Sequence, residues 1–107
     1  MKRGEVWTLS ASGYAGKPRP AVIIQDDRFD ATASITVCAF TTDRTEAPLF
    51  RLVVEPSERN NLRAQSGLMV DKITTVSKER LGGPIGQLDD SDMVRLNRAM
   101  MVFLGLA

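Results

Sequence analysis

The sequence predicts a mainly β protein with one helix: a small, strongly bent antiparallel sheet or barrel finished by a C-terminal helix. Three observations lead there. Short apolar runs rich in Val, Ile, Thr and Phe recur between clusters of Gly, Pro, Asp, Asn and Ser, which gives five or six strands. Helical spacing of apolar residues sustained over several turns is confined to the stretch after Leu88. A length of 107 residues, 43% hydrophobic and 25% charged, suffices for one domain spanning residues 1–107 and leaves no room for a second.

The elements follow in order. Glu5-Val6-Trp7-Thr8-Leu9 reads as a first strand, and residues 10–17 as a glycine- and serine-bearing loop. That loop runs into Pro18-Arg19-Pro20, whose two prolines fix φ and push each preceding residue into extended backbone, so Arg19 leaves the chain at a nearly set angle. The second strand, Arg19 to Gln25, contains the continuously apolar Ala21-Val22-Ile23-Ile24 and is expected to be central, covered on both faces. Asp26 to Asp30 breaks it. A third strand runs from Ile35 to Thr41 and a fourth from Phe50 to Val54. After a turn-rich loop at 56–61, residues 66–76 form a fifth strand whose alternation slips near Asp71 and Lys72, as a bulge would make it do. Residues 77–81 predict a single helical turn, and Gly82-Gly83-Pro84 a turn into a short last strand from Ile85 to Leu88.

Asp89 is expected to cap the final helix, with Asp90 and Asp92 at its positive end and Leu88 stapled onto Met93. Met93, Leu96, Met100, Phe103 and Leu104 share one face, yet Met101 and Val102 are apolar too. A terminal helix can hide only one side against its own sheet, so the surplus predicts a homodimer.

Composition narrows the function. The single Cys38 cannot form a disulfide within one chain and suits a reducing compartment. The N-terminal apolar run is too short for a signal peptide or a membrane span, so a cytoplasmic protein is expected. Net charge is +1, so any nucleic-acid role needs cations gathered on one face. There is no His, which leaves carboxylates, Arg, Lys and hydroxyls for catalysis. No Cys/His cluster could hold zinc, the glycines lack phosphate-loop spacing, and no cofactor or metal is expected.

Five ordered blocks carry a resemblance: Arg3-Gly4-Glu5-Val6-Trp7; Gly16-Lys17-Pro18-Arg19-Pro20-Ala21-Val22-Ile23-Ile24; Ala39-Phe40-Thr41-Thr42; Asn61-Leu62 to Ser66; and Asp71-Lys72-Ile73-Thr74-Thr75. In this order they resemble the MazF/PemK/Kid family of toxins over nearly the whole chain. The resemblance implies an SH3-like barrel of the MazF/PemK/CcdB type and the toxin of a type II toxin-antitoxin system. It implies a sequence-selective, metal-independent endoribonuclease that works as a homodimer. Its implied partners are single-stranded RNA and a cognate antitoxin with an acidic C-terminal tail, the antitoxin complex binding operator DNA, with no membrane involved. Carried over by position, the match sets Arg19, Thr41 and Asp71 on catalytic positions. The sequence departs from the Kid branch at Met69, where that branch has an Arg assigned to acid catalysis, and it lacks that branch's loop His, so the version built on Arg and Thr fits.

Elementary chemistry agrees with those residue types. RNA carries its own nucleophile, so a protein need only help a 2′-hydroxyl attack the adjacent phosphorus and stabilise the added charge. Arg19 suits the clamp, because its planar fork donates two parallel hydrogen bonds to phosphate oxygens and stays charged at any working pH. Thr41 can donate from its hydroxyl. Asp71 can take the proton only if its environment raises its pKa; otherwise it pairs with Lys72 or Arg19, and Glu5 has the same two readings. Lys17, Arg44, Arg63 and Lys72 are expected to grip RNA phosphates, with Thr42 and Ser66 beside them. Tyr14 and Phe29 are expected either to stack on unpaired bases or to pack within their loops, and Trp7 to lie in the core. Two further classes fit the same fold: a CcdB-like toxin that binds gyrase, whose terminal Trp-Gly-Ile is absent here, and an SH3-like RNA-binding module without chemistry.

Overall fold

A computed structural model describes residues 1–10, 17–43, 46 and 49–107. Among these described residues, seven antiparallel strands and one α-helix make up the frame: β1 (Glu5–Leu9), β2 (Arg19–Ile23), β3 (Ser34–Thr41), β4 (Arg51–Val54), β5 (Ser66–Met69), β6 (Thr74–Ser77), β7 (Leu81–Gln87) and α1 (Asp90–Phe103). Neighbouring strands run in the order β4-β5-β3-β2-β1-β7, and β6 also pairs with β3. The strand β2 is interior, as its apolar run predicts. Val22 points into one core cluster, and Ala21 and Ile23 into the other, so successive residues serve opposite faces.

The long strand β3 bends the sheet. Its last residues, Phe40 and Thr41, pair with Leu68 and Gly67 of β5, while Ser34 to Val37 pair with β6. Between these two ladders β3 advances three residues, from Val37 to Phe40, while the facing chain advances six, from Leu68 to Thr74. The surplus is absorbed by a 3-10 turn at Val70–Lys72. The single strand expected over residues 66–76 is therefore two strands, because three extra residues are more than one bulge can hold.

Gly82-Gly83-Pro84 also departs from expectation. These residues lie inside β7, where the pairing with β1 shifts register twice, instead of forming a turn before it. The helical turn expected before it is present as a 3-10 turn, Lys78–Arg80, with the Ser77 hydroxyl accepting from the Glu79 N–H at 3.3 Å.

The first cluster fills the space between the sheet and α1 and contains Val6, Val22, Cys38, Phe40, Leu68, Val70, Leu88 and Leu96. Met93 and Met100 pack against it, but Phe103 and Leu104, expected on the same face, are 47% and 58% exposed. Phe103 only leans on Phe50, ring centroids 6.2 Å apart. Among the described residues, Phe50 is the aromatic partner of the last turn, and Val102, Phe103 and Leu104 stay about half exposed. Asp89 occupies the N-cap position without a side-chain cap bond, because Ser57 and Asn60 already hold its carboxylate. Among the described residues no helix is long and apolar enough to cross a membrane.

Candidate active site

Arg19 enters β2 immediately after Pro18, and Thr41 is the last residue of β3. The β2–β3 ladder pairs Ala21 with Ala39, Val22 with Cys38 and Ile23 with Val37; carried two residues further, it sets Arg19 across from Thr41. Residues directly opposite each other in antiparallel strands project from the same face. Both side chains accordingly line one recess of about 290 Å³, together with Lys17, Pro18, Pro20, Phe40, Thr42 and Ser66. Lys17, Pro18, Pro20, Thr42 and Ser66 also line a longer groove that continues past Thr8, Asn61, Leu62, Arg63, Ala64, Pro84 and Ile85.

Thr41 is nearly buried, and its Oγ1 accepts the Asp43 N–H at 3.1 Å. A hydroxyl can accept one hydrogen bond and still donate its own proton. The Ser66 hydroxyl donates to the Ala64 carbonyl at 2.9 Å, which fixes the bend where the groove wall meets β5. Exposed Lys17 and Arg63 flank the groove and give it a positive rim.

The wall bearing Asn61 to Ala64 is held from beneath. Asn60 is fully buried; its Oδ1 accepts the N–H groups of Ser57 (2.9 Å) and Leu62 (3.0 Å), and its Nδ2 donates to the Glu55 carbonyl at 2.9 Å. Ser57 Oγ donates to Asp89 at 2.6 Å, which ties the loop to the start of α1. The loop also rests directly on β7: a Cβ at Gly86 would lie 2.5 Å from the Asn60 carbonyl oxygen, so no side chain fits there.

Asp71 does not join this groove. Arg51 grips its carboxylate with two hydrogen bonds, Nε to Oδ1 at 2.9 Å and Nη2 to Oδ2 at 3.2 Å, so its partner is neither Lys72 nor Arg19. The Arg51 hydrogen bonds, acting against partial burial, hold the carboxyl below its ordinary 3.8, the opposite of the rise a general base needs. A carboxylate depressed on folding stabilises the fold above its ordinary value, and that stabilisation disappears as pH falls through the depressed one. The expected outcome is that Asp71→Asn melts below wild type at pH 7, with the gap closing as the scan is moved progressively below the ordinary carboxyl value of 3.8. A gap independent of pH would assign Asp71 a purely packing role. Burial, reinforced by the nearby Asp71 charge, pushes the Cys38 thiol up to about 12, so it packs as a small hydrophobe and is unreactive.

The remaining expectations divide. Lys72 is exposed on the same 3-10 turn as Asp71 and is not among the groove-lining residues. Phe29 is also away from the groove, 57% exposed with the Arg28 guanidinium 5.5 Å from its ring centroid. Glu5 is turned to the N-terminal segment: burial opposes its charge, but hydrogen bonds from the Lys2 N–H (2.6 Å) and Trp7 Nε1 (3.2 Å) lower its pKa. Trp7 packs against the second core cluster. Tyr14 and Arg44 lie outside the described residues.

A family model described as the PemK-like, MazF-like toxin of type II toxin-antitoxin systems matches residues 2–104. The chain belongs to that family. The toxin is 55% identical over 108 residues to a probable endoribonuclease MazF of Mycolicibacterium smegmatis, covering 100% of this chain and 99% of the relative. It is 32% identical over 113 residues to endoribonuclease EndoA of Bacillus subtilis, covering 99% and 96%. Among solved structures, an endoribonuclease in complex with its cognate antitoxin from a mycobacterial species superposes with a TM-score of 0.83 at 27% identity, covering 100% of the toxin and 97% of that chain.

The sequence reading missed Thr8, Pro84 and Ile85 as groove residues. They come from β1 and β7, which meet only through long-range pairing, so no local spacing announces them.

Proposed function

We propose that the recess shared by Arg19 and Thr41 is where this toxin, an endoribonuclease like its named relatives, cleaves single-stranded RNA. The observation that supports this most is the cross-strand placement of a guanidinium and a hydroxyl on one face, in a recess that shares its lining with a groove flanked by Lys17 and Arg63. A chain laid in the groove presents a phosphate to Arg19, whose fork holds two non-bridging oxygens as the 2′-hydroxyl attacks phosphorus. Thr41 donates to a non-bridging or leaving oxygen of the resulting phosphorane. Solvent water takes the 2′-hydroxyl proton as the new bond to phosphorus forms and returns one to the 5′-oxygen as its bond to phosphorus breaks, so the products are a 2′,3′-cyclic phosphate and a 5′-hydroxyl end. Lys17 and Arg63 hold flanking phosphates, so binding weakens with salt. Asp71 orients Arg51 and takes no proton in this scheme.

The reading extends to the surroundings. An acidic antitoxin tail lying in the groove blocks RNA by competition, in keeping with the relative solved with its antitoxin. A second copy of the toxin covers the exposed apolar side chains of Val94, Met101, Val102 and Phe103. Both steps belong in the cytoplasm, where the RNA is.

Purified toxin incubated with a long single-stranded RNA in EDTA should release fragments ending in 2′,3′-cyclic phosphate, and intact RNA would favour a binding module instead. In the same assay Thr41→Val, nearly isosteric, should lose at least about tenfold in rate, the scale of one lost transition-state donor. Full activity of that variant would reject the role given to Thr41.

A further inference from the structure

We propose that Gly67 keeps a strip of bare main chain beside Thr41, against which the nucleotide next to the cleaved phosphate lies flat. This rests on the RNA-cleaving reading above. Gly67 sits in regular antiparallel register, with Thr41 of β3 on one side and Val53 of β4 on the other. Glycine inside a paired strand is less stable there than alanine, so it calls for a reason.

The fold supplies none. A Cβ at Gly67 would meet Thr41 Cγ2 at 3.8 Å and the carbonyl oxygens of Leu52 and Thr41 at 3.9 Å, all ordinary contacts. Its φ is not positive, unlike those of Gly4 and Gly105. Gly82 and Gly86, by contrast, would bring a Cβ to 2.4 Å and 2.5 Å from neighbouring atoms, and Gly83 lies where the β1–β7 register slips. Among the described glycines, Gly67 is the one in a regular ladder that neither sterics nor backbone conformation demands.

What a side chain at this position would change is the surface beside the Thr41 methyl, because the missing Cβ points at it. Interior strand glycines often mark a bulge, a tight bend, or a place where a ligand or another backbone comes close, and the ladders on both sides of Gly67 run without a register shift. Gly67, without a side chain, is not itself among the lining residues, but Thr41, its partner across the ladder, and Ser66, one residue before, both line the recess. A flat base or ribose can approach a peptide plane closely, and each added methyl lifts it away from the Arg19 and Thr41 pair. Displacement of that kind is amplified in the rate, since about 1 Å of misplacement can cost a hundredfold.

The test uses Gly67→Ala and Gly67→Val in the full-length toxin. The substrate is a short single-stranded RNA spanning a cut site mapped with wild type. Two companions carry an abasic ribonucleotide on the 5′ or the 3′ side of the scissile phosphate, with the attacking 2′-hydroxyl retained. Both variants should melt at or above the wild-type temperature. On the intact RNA, kcat/KM should fall at least about tenfold for alanine and further for valine. On one of the abasic RNAs, variant and wild type should cleave within about twofold of each other, since nothing remains to collide. Wild-type rates for the valine variant on intact RNA would overturn the proposal, as would equal losses on all three RNAs. So would a shift to monomer in sedimentation, which would make a second copy's backbone the neighbour of Gly67. Failure of wild type itself to cut RNA would strike the parent reading, a separate result.

Discussion

Arg19→Ala is expected to lower RNA cleavage by at least about a hundredfold, the scale of a preorganised charge-stabilising donor removed from a transition state. Arg19 is exposed, and the strand it opens is anchored by buried Ala21, Val22 and Ile23, so the melting temperature should stay within about 2 °C of wild type. Arg19→Lys sharpens the result. A lysine restores the charge but not the two-pronged geometry, so most of the loss should persist. Single-turnover cleavage of a labelled RNA at saturating toxin measures the chemical step apart from binding. Wild-type turnover by the alanine variant would remove Arg19 from the reaction.

The second large effect is on stability. Asn60→Ala should destabilise the toxin by about 3 kcal/mol or more, because it leaves the Ser57 and Leu62 N–H groups and the Glu55 carbonyl without their buried partner. For a domain of this size that corresponds to a drop in Tm of about 12 °C or more. The consequence should reach the groove, since Asn61, Leu62 and Arg63 follow directly on Asn60 and form its wall. At temperatures where the variant is still folded, a raised KM with a nearly unchanged kcat is expected under the proposed scheme, in which the wall grips RNA and Arg19 and Thr41 do the chemistry. Thermal unfolding followed by circular dichroism, with the KM measured at 15 °C below the variant's own midpoint, checks both parts. A change in Tm of less than about 1 kcal/mol equivalent would show the loop to be held by something other than this side chain.

How much of this was legible beforehand depended on whether the deciding interaction was local. The run Ala21-Val22-Ile23-Ile24 announced an interior strand because every residue of it needs cover, and the two prolines announced a rigid mount for Arg19 because their φ is set by their own rings. The position of a break near Asp71 was visible as a slip in alternation. Its size was not, since a three-residue turn and a one-residue bulge differ only in what the opposite strand β3 does. Asp89 shows the same limit at one side chain. Its place before the helix was plain, but Ser57 and Asn60, remote in sequence, competed successfully for the carboxylate.

By itself the sequence determined the fold class, the first four strands, the helix, and the two residue types able to hold and protonate a phosphate, because each of these is set by dihedral limits, apolar periodicity or side-chain chemistry within a few residues. Only the tertiary structure decided that Arg19 and Thr41 share one face, that Asp71 answers to Arg51, and that β1 and β7 complete the groove. Those outcomes depend on strand register and on which of several charged groups comes nearest, and both are properties of the packed chain as a whole.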